Sequence, residues 1–103
     1  MYSTVLVTVD SKENAKRIAR HLLERGLAAC ANLFQVDSLF HWEGGVAEER
    51  EWGMLLKTRS EDFREVESAV MEVHPYQVPC IVRYGIAEGH QPYLDWVGES
   101  TRR

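Results

Sequence analysis

Residues 28–59 constrain what this chain can fold into more than any other stretch. "AACANLFQVDSLFHW" (28–42) is an extended-looking run, "EGG" (43–45) is a turn signal, and "VAEEREWGMLLKTR" (46–59) returns as a second run. The natural reading is a β-hairpin. With about 14 residues per arm at roughly 3.3 Å each, the arms reach on the order of 45 Å. The chain has 103 residues. A compact domain of that size has a radius of gyration of about 13 Å and so a diameter of about 33 Å. The hairpin therefore overhangs its own domain, with Leu39, Phe40 and Trp42 near the tip and Trp52 on the return arm. A bare two-stranded ribbon is marginal in water and open edges invite pairing. The expectation is an oligomer in which Phe40, Trp42 and Trp52 meet a neighbouring subunit. The alternative is a break at Gln35–Asp37 that folds the hairpin back.

The flanking segments supply the rest of an α+β domain. "TVLVTV" (Thr4–Val9) is apolar or β-branched throughout and reads as a strand covered on both faces. A helix follows. Asp10 and Glu13 resemble a capping box, Ala15, Ile18, Ala19, Leu22 and Leu23 form one face, and Gly26 is the stop. Ser60 is expected to cap a second helix through Val73, with Phe63, Val66, Val70 and Val73 as its stripe. Val78–Ile86 reads as the last strand, and Pro92 opens a short terminal helix. The order β-α-β-β-α-β is the ferredoxin-like arrangement, here as a single domain over 1–103 with a long hairpin and a C-terminal helix. That fold hosts many functions.

Composition narrows the function classes. A net charge of −4 argues against non-specific nucleic-acid binding. No run reaches transmembrane length, and the N-terminus lacks both the basic region and the long apolar run of a signal peptide, so a cytoplasmic protein is expected. Two cysteines, Cys30 and Cys80, are too few for a disulfide framework, and no CxxC pair suggests zinc. There is no Gly-rich phosphate loop and no HExxH. Acylphosphatase shares the fold class but needs an arginine in the loop after the first strand, which here is the acidic "VDSKEN". The chain is read as a non-enzyme.

Few side chains invite chemistry. "HPYQVPC" (His74–Cys80) combines a histidine and a cysteine, both metal ligands, with two chain-steering prolines. Pro75 biases His74 to extended backbone and ends the second helix, and Pro79 delays strand pairing to about Cys80. Its first role is expected to be steering, with Tyr76 covering the entry to the last strand; His74 and Cys80 are the candidate ligands of a weak divalent-metal site. Cys30, in "AACAN", reads as a packing thiol, and His21, off the helix stripe, as solvated. His41 and His90 have no partner by spacing. Lys57 ends an apolar run and either snorkels or lines a cleft for an anion. "EEREW" (48–52) reads as a solvated charge run.

"LAACANL" (27–33), "SLFHWEG" (38–44), "LLKT" (55–58), "HPYQVP" (74–79) and "YLDW" (93–96), in this order and spacing, resemble the CutA divalent-cation tolerance family over almost the whole chain. The resemblance implies a ferredoxin-like subunit, a homotrimer whose hairpins lie across neighbouring subunits, and a role in tolerance to divalent cations, copper especially. Animal members are linked to anchoring acetylcholinesterase, and no reaction is established for the family. Copper-binding members carry a cysteine in the first strand and two successive histidines before the proline. The matching positions here are Val7, Val73 and His74, and Cys80 stands where a glutamate is usual. In overall plan the chain also resembles small trimeric ferredoxin-like signalling proteins. That leaves open a sensor or scaffold whose ligand occupies an inter-subunit cleft near Lys57, His74 and Tyr76, with metal incidental.

Overall fold

A computed structural model describes residues 1–101 and 103. Strand β1 (Tyr2–Val9) leads to helix α1 (Lys12–Glu24), and the hairpin is β2 (Cys30–Trp42) and β3 (Gly45–Arg59). A 3-10 turn (Ser60–Asp62) enters α2 (Phe63–Val73), followed by β4 (Ile81–Gly85) and α3 (Gln91–Ser100). The four strands form one antiparallel sheet in the order β2-β3-β1-β4, the ferredoxin-like topology.

Alternation along the strands separates the two faces. Val5, Val7 and Val9 pair with Leu56, Met54 and Trp52 and turn toward the helices. They seal the core against Ile18 and Leu22 of α1 and Val66 and Val70 of α2. Within the subunit β1 is fully covered on one face only, where its composition suggests cover on both. Thr4, Leu6 and Thr8 alternate with the buried valines and stay half-exposed on the other face. Threonine is β-branched, so a run of Val and Thr conceals a two-sided strand. Helix α3 covers one end of this open face. Val97 is fully buried, Arg59 Nη2 donates to Gly98 O at 2.7 Å, and the Tyr93 hydroxyl lies 3.5 Å from Cys30 Sγ.

The ends of α1 and α2 are set differently from the sequence reading. Ser11, not Asp10, is the N-cap of α1: its Oγ accepts from Asn14 N–H at 3.1 Å, and Asp10 accepts from the Asn14 amide instead. At the far end Gly26 N–H donates to Leu23 O and Leu27 N–H to Leu22 O, the paired bonds of a Schellman stop. Ser60 begins the 3-10 turn and bonds Ser3 Oγ at 2.6 Å, so its hydroxyl ties β1 to the hairpin rather than capping α2. His21 bridges the two helices, with Nε2 at 2.9 Å from Glu72 Oε1, where sequence alone left it in solvent. That contact and Arg25 hold the Glu72 carboxyl below its ordinary value.

The hairpin is straight enough to protrude. Strand β2 runs unbroken through Gln35–Asp37, which excludes the folded-back alternative. Pairing with β1 ends at Trp52↔Val9, and the seven hairpin pairs from Val36↔Glu51 to Trp42↔Gly45 have no third strand. The subunit extends 45 Å along its longest axis, against 26 and 21 Å across. Glu43 and Gly44 turn the chain with φ of 48° and 81°. Two successive positive values are the type I′ geometry that matches strand twist. Trp42 is 62% exposed at the tip, and Phe40 is also exposed.

Trp52 lies in the body of the sheet rather than on the overhang. It pairs with Val9 and Gln35 in the body of the sheet, packs on the core of its own subunit, and carries Lys12 Nζ 5.3 Å above its ring. Seven residues of β3 separate it from the turn, so it is not a tip residue.

Phe34 and Gly53 are direct cross-strand partners on the open face. A Cβ on Gly53 would stand 2.6 Å from Phe34 Cε2 and 2.7 Å from Cζ. Gly53→Ala must therefore displace the ring, and the expected loss is about 1–3 kcal/mol of stability by denaturant titration. Gly53→Ala with Phe34→Leu should recover part of it.

Candidate functional site

The segment after α2 steers the chain. Helix α2 ends at Val73, His74 is extended (φ −80°, ψ 133°), and its N–H closes the last turn on Val70 O. Pairing of β4 starts at Ile81↔Val7, one residue after Cys80. His74 itself is only 8% exposed. Its Nε2 donates to Thr8 O at 2.8 Å, and its Nδ1 accepts from Tyr76 N–H at 3.1 Å. Thr8 O can only accept and the Tyr76 amide can only donate, so the tautomer is set by the partners. The one lone pair on the ring is already used.

Tyr76 continues the strap. Its ring meets the His74 imidazole edge-on at 4.8 Å, and its hydroxyl donates to Glu51 Oε2 at 2.7 Å. Burial and then the Glu51 carboxylate hold the phenol well above its ordinary value. Glu51 is only 9% exposed. It lies in the run that composition marks as solvated, but its position on the open face of β3 puts it under Tyr76.

Within one subunit Lys57 stands apart from His74 and Tyr76, so a cleft that includes all three draws them from different subunits. Lys57 and Glu51, the partner of Tyr76, are six residues apart on β3, or about 20 Å at the rise of a strand. Lys57 lies at the α3 end. Its Nζ donates to Asn32 Oδ1 at 2.7 Å, and Cys30, its cross-strand partner, lies 3.7 Å from the same oxygen. Cys30 is half-buried rather than a core thiol, and its contact with Tyr93, together with burial, pushes that phenol up to about 12. Asn32, Tyr93 and Glu51 were missing from the sequence reading. Period-two alternation in β2 and β3 was the available signal for Asn32 and Glu51, and for Tyr93 it was the YLDW motif.

The metal candidates fit poorly. Cys80 is exposed, and His74 must give up a backbone hydrogen bond to ligate. No group of three or more His, Cys, Asp or Glu side chains among the described residues is arranged to hold a metal ion. A stable site needs three or four ligands.

Comparison with known proteins gives consistent matches. The family described as CutA1 divalent ion tolerance protein matches residues 3–100. The divalent-cation tolerance protein CutA of Archaeoglobus fulgidus is 44% identical over 101 residues, covering 98% of this chain and 99% of that protein. Its structure, described as that of a periplasmic divalent cation tolerance protein, has a TM-score of 0.97 at 43% identity and covers 99% of this chain and 100% of that one. The divalent cation tolerance protein of Thermus thermophilus has a TM-score of 0.95 at 44% identity, with the same coverage. No helix among the described residues is long and apolar enough to cross a membrane.

Tyr76→Phe keeps the ring and removes the donor to Glu51. The expected cost is about 1–3 kcal/mol by denaturant titration at neutral pH, since a buried carboxylate loses its partner. The raised Tyr76 pKa means that the native state holds this proton more tightly than the unfolded chain. Its stabilisation is complete below the ordinary tyrosine pKa of about 10 and declines as pH rises above it. Stability of the native chain should fall above that pH, and less steeply in Tyr76→Phe.

Proposed function

The chain belongs to the CutA1 divalent ion tolerance family, and on that premise we propose that it works as a homotrimer that responds to divalent cations, copper above all, by binding rather than catalysis. The hairpin carries this reading. Its seven unsupported pairs and the exposed Phe40 and Trp42 form a ribbon that is marginal alone. Both sheet edges, β2 and β4, are also free within the subunit. A shallow groove of about 470 Å³ between α1 and β2, lined by Leu23, Ala31 and Leu33, adds apolar surface at that edge. A rotationally closed trimer would cover ribbons and edges together.

On this reading His74 and Cys80 are the ligands one subunit offers, and further ligands come from a neighbour. Affinity is low, because metal and fold compete for the same imidazole lone pair. A cytoplasmic location is part of the proposal; cell fractionation tests it against the periplasmic description of the Archaeoglobus protein.

One observation favours a second reading, a trimeric small-ligand sensor or protein scaffold in which metal is incidental. The ring nitrogens of His74 are both spent within the subunit, whereas Lys57 presents an ammonium whose one hydrogen-bond partner among the described residues is a neutral amide.

Sedimentation equilibrium at micromolar concentration should give three times 11.9 kDa. Trp42→Ala should leave the subunit fold intact and weaken association by about 2 kcal/mol or more, as for a central aromatic anchor. A monomeric native chain rules out the assembly. For the cation reading, copper(II) should raise the melting temperature of the native trimer, with zinc(II) as a redox-inert parallel. Cys80→Ser should remove at least half of the shift. No shift in an intact trimer overturns the cation reading and leaves the second.

A further inference from the structure

We propose that the groove between α1 and β2 docks an acidic amphipathic helix of a partner protein. This rests on the scaffold reading above and not on the cation reading. It leaves the sheet face opposite the helices to the assembly.

The groove holds about 470 Å³ and lies on the helix side of the sheet. Ala31 and Leu33 of β2 form its floor, and Lys16, Arg20, Leu23 and Glu24 of α1 form its wall. Leu23 is 40% exposed, a large apolar side chain with no cover in its own subunit. A neighbouring strand paired along β2 would lie in the plane of the sheet, about 4.8 Å away. A second helix beside α1 would stand in the layer above, about 8–10 Å from the α1 axis. Strand pairing at this edge therefore extends the floor and does not fill the groove.

Charge selects the occupant. Acidic residues outnumber basic ones 16 to 12 over the chain. Helix α1 reverses that balance, with Lys12, Lys16, Arg17 and Arg20 against Glu13 and Glu24. Lys12 is engaged over Trp52, and Arg17 donates to Val73 O. Lys16, Arg20 and Glu24 stand at i, i+4 and i+8, in one row along the groove. None of the three takes part in an ion pair among the described residues. Two cations followed by one anion beside an apolar floor match a helix with leucines at i, i+3, i+4 and i+7. Its flank carries carboxylates opposite Lys16 and Arg20, and a base opposite Glu24 fixes its direction. Apolar burial supplies affinity, and the charges supply choice of partner.

The test uses a fluorescein-labelled synthetic helix of roughly four turns with that leucine spacing and glutamates on its flanks. An analogue carries glutamine at every glutamate. Fluorescence anisotropy on the native protein should show the acidic peptide binding at least fivefold more tightly than the analogue, with the difference shrinking as salt rises. Lys16→Gln with Arg20→Gln should abolish the preference, and Leu23→Ser should weaken both peptides. Arg64→Gln, an exposed arginine on α2, should change neither. Equal affinity for the two peptides, or no binding of either to the native protein, overturns the inference without any variant. Acidic-peptide binding that is unchanged in the Lys16, Arg20 double variant overturns this surface while keeping the scaffold reading. If neither peptide binds and the double variant weakens the trimer, a neighbouring copy closes the groove and the inference fails. A copper-induced shift that survives any of these failures keeps the cation reading intact.

Discussion

The pleat of β3 decides which side of the molecule every candidate residue occupies. This strand is shared by the body of the sheet and the protruding hairpin, so a single alternation runs through both. Trp52, Met54, Leu56 and Thr58 turn toward the helices, while Glu51, Gly53, Leu55 and Lys57 face the other way. A slip of one residue against β1 would exchange the two sets. It would expose Met54 and Leu56 and bury Lys57 and Glu51 in an apolar core. The core residues of β1, fully buried at Val5, Val7 and Val9, make that slip costly. Register is therefore held by the hydrophobic face, and the polar positions on the open face follow from it.

Lys57 and Glu51 stand at opposite ends of the open face. Lys57 with Asn32, Cys30 and Tyr93 lies under α3, and Glu51 with Tyr76 lies beneath the strap that follows α2. Between them run Phe34, Gly53, Leu55 and Leu6. Each end draws a side chain from outside the sheet. Tyr93 comes from a C-terminal helix, and Tyr76 from a loop whose direction is set by His74 and Pro75. The imidazole acts as a spacer between two backbone groups, Thr8 O and Tyr76 N–H, and joins the end of β1 to the start of the loop. That use of His74 is structural whatever else binds nearby. It also accounts for a buried histidine in a segment whose proline content suggests only a turn.

Most element boundaries were legible in the primary structure, and the misplacements have identifiable causes. The hairpin, its turn, the Gly26 stop and the arrest of α2 before Pro75 depend on local stereochemistry, which neighbours barely alter. The cap of α1 lies one residue later than expected because Ser11 and Asp10 can both accept from the first turn, and Asp10 finds the Asn14 side chain. Ser60 looks like a cap, but Ser3 reaches it from another strand. Trp52 is on the return arm of the hairpin, as its place in the sequence indicates, but seven residues from the turn. That distance places it in the body of the sheet.

Sequence by itself determined the alternation of β2 and β3, the length that makes the hairpin protrude, and the motifs that mark the family, because each is a pattern within short windows of chain. It could not say which polar residues meet. Glu51 reads as one acid in a charged run, Cys30 as a packing thiol, and Lys57 and Tyr76 as members of one inter-subunit cleft. Only the tertiary structure put Tyr76 over Glu51, brought Tyr93 across 63 positions to Cys30, and set Lys57 against Asn32 at the far end of the strand. The physical reason is that hydrogen-bond partners on a sheet face are chosen by register and by what packs over the face, and both are set by contacts between segments remote in the chain.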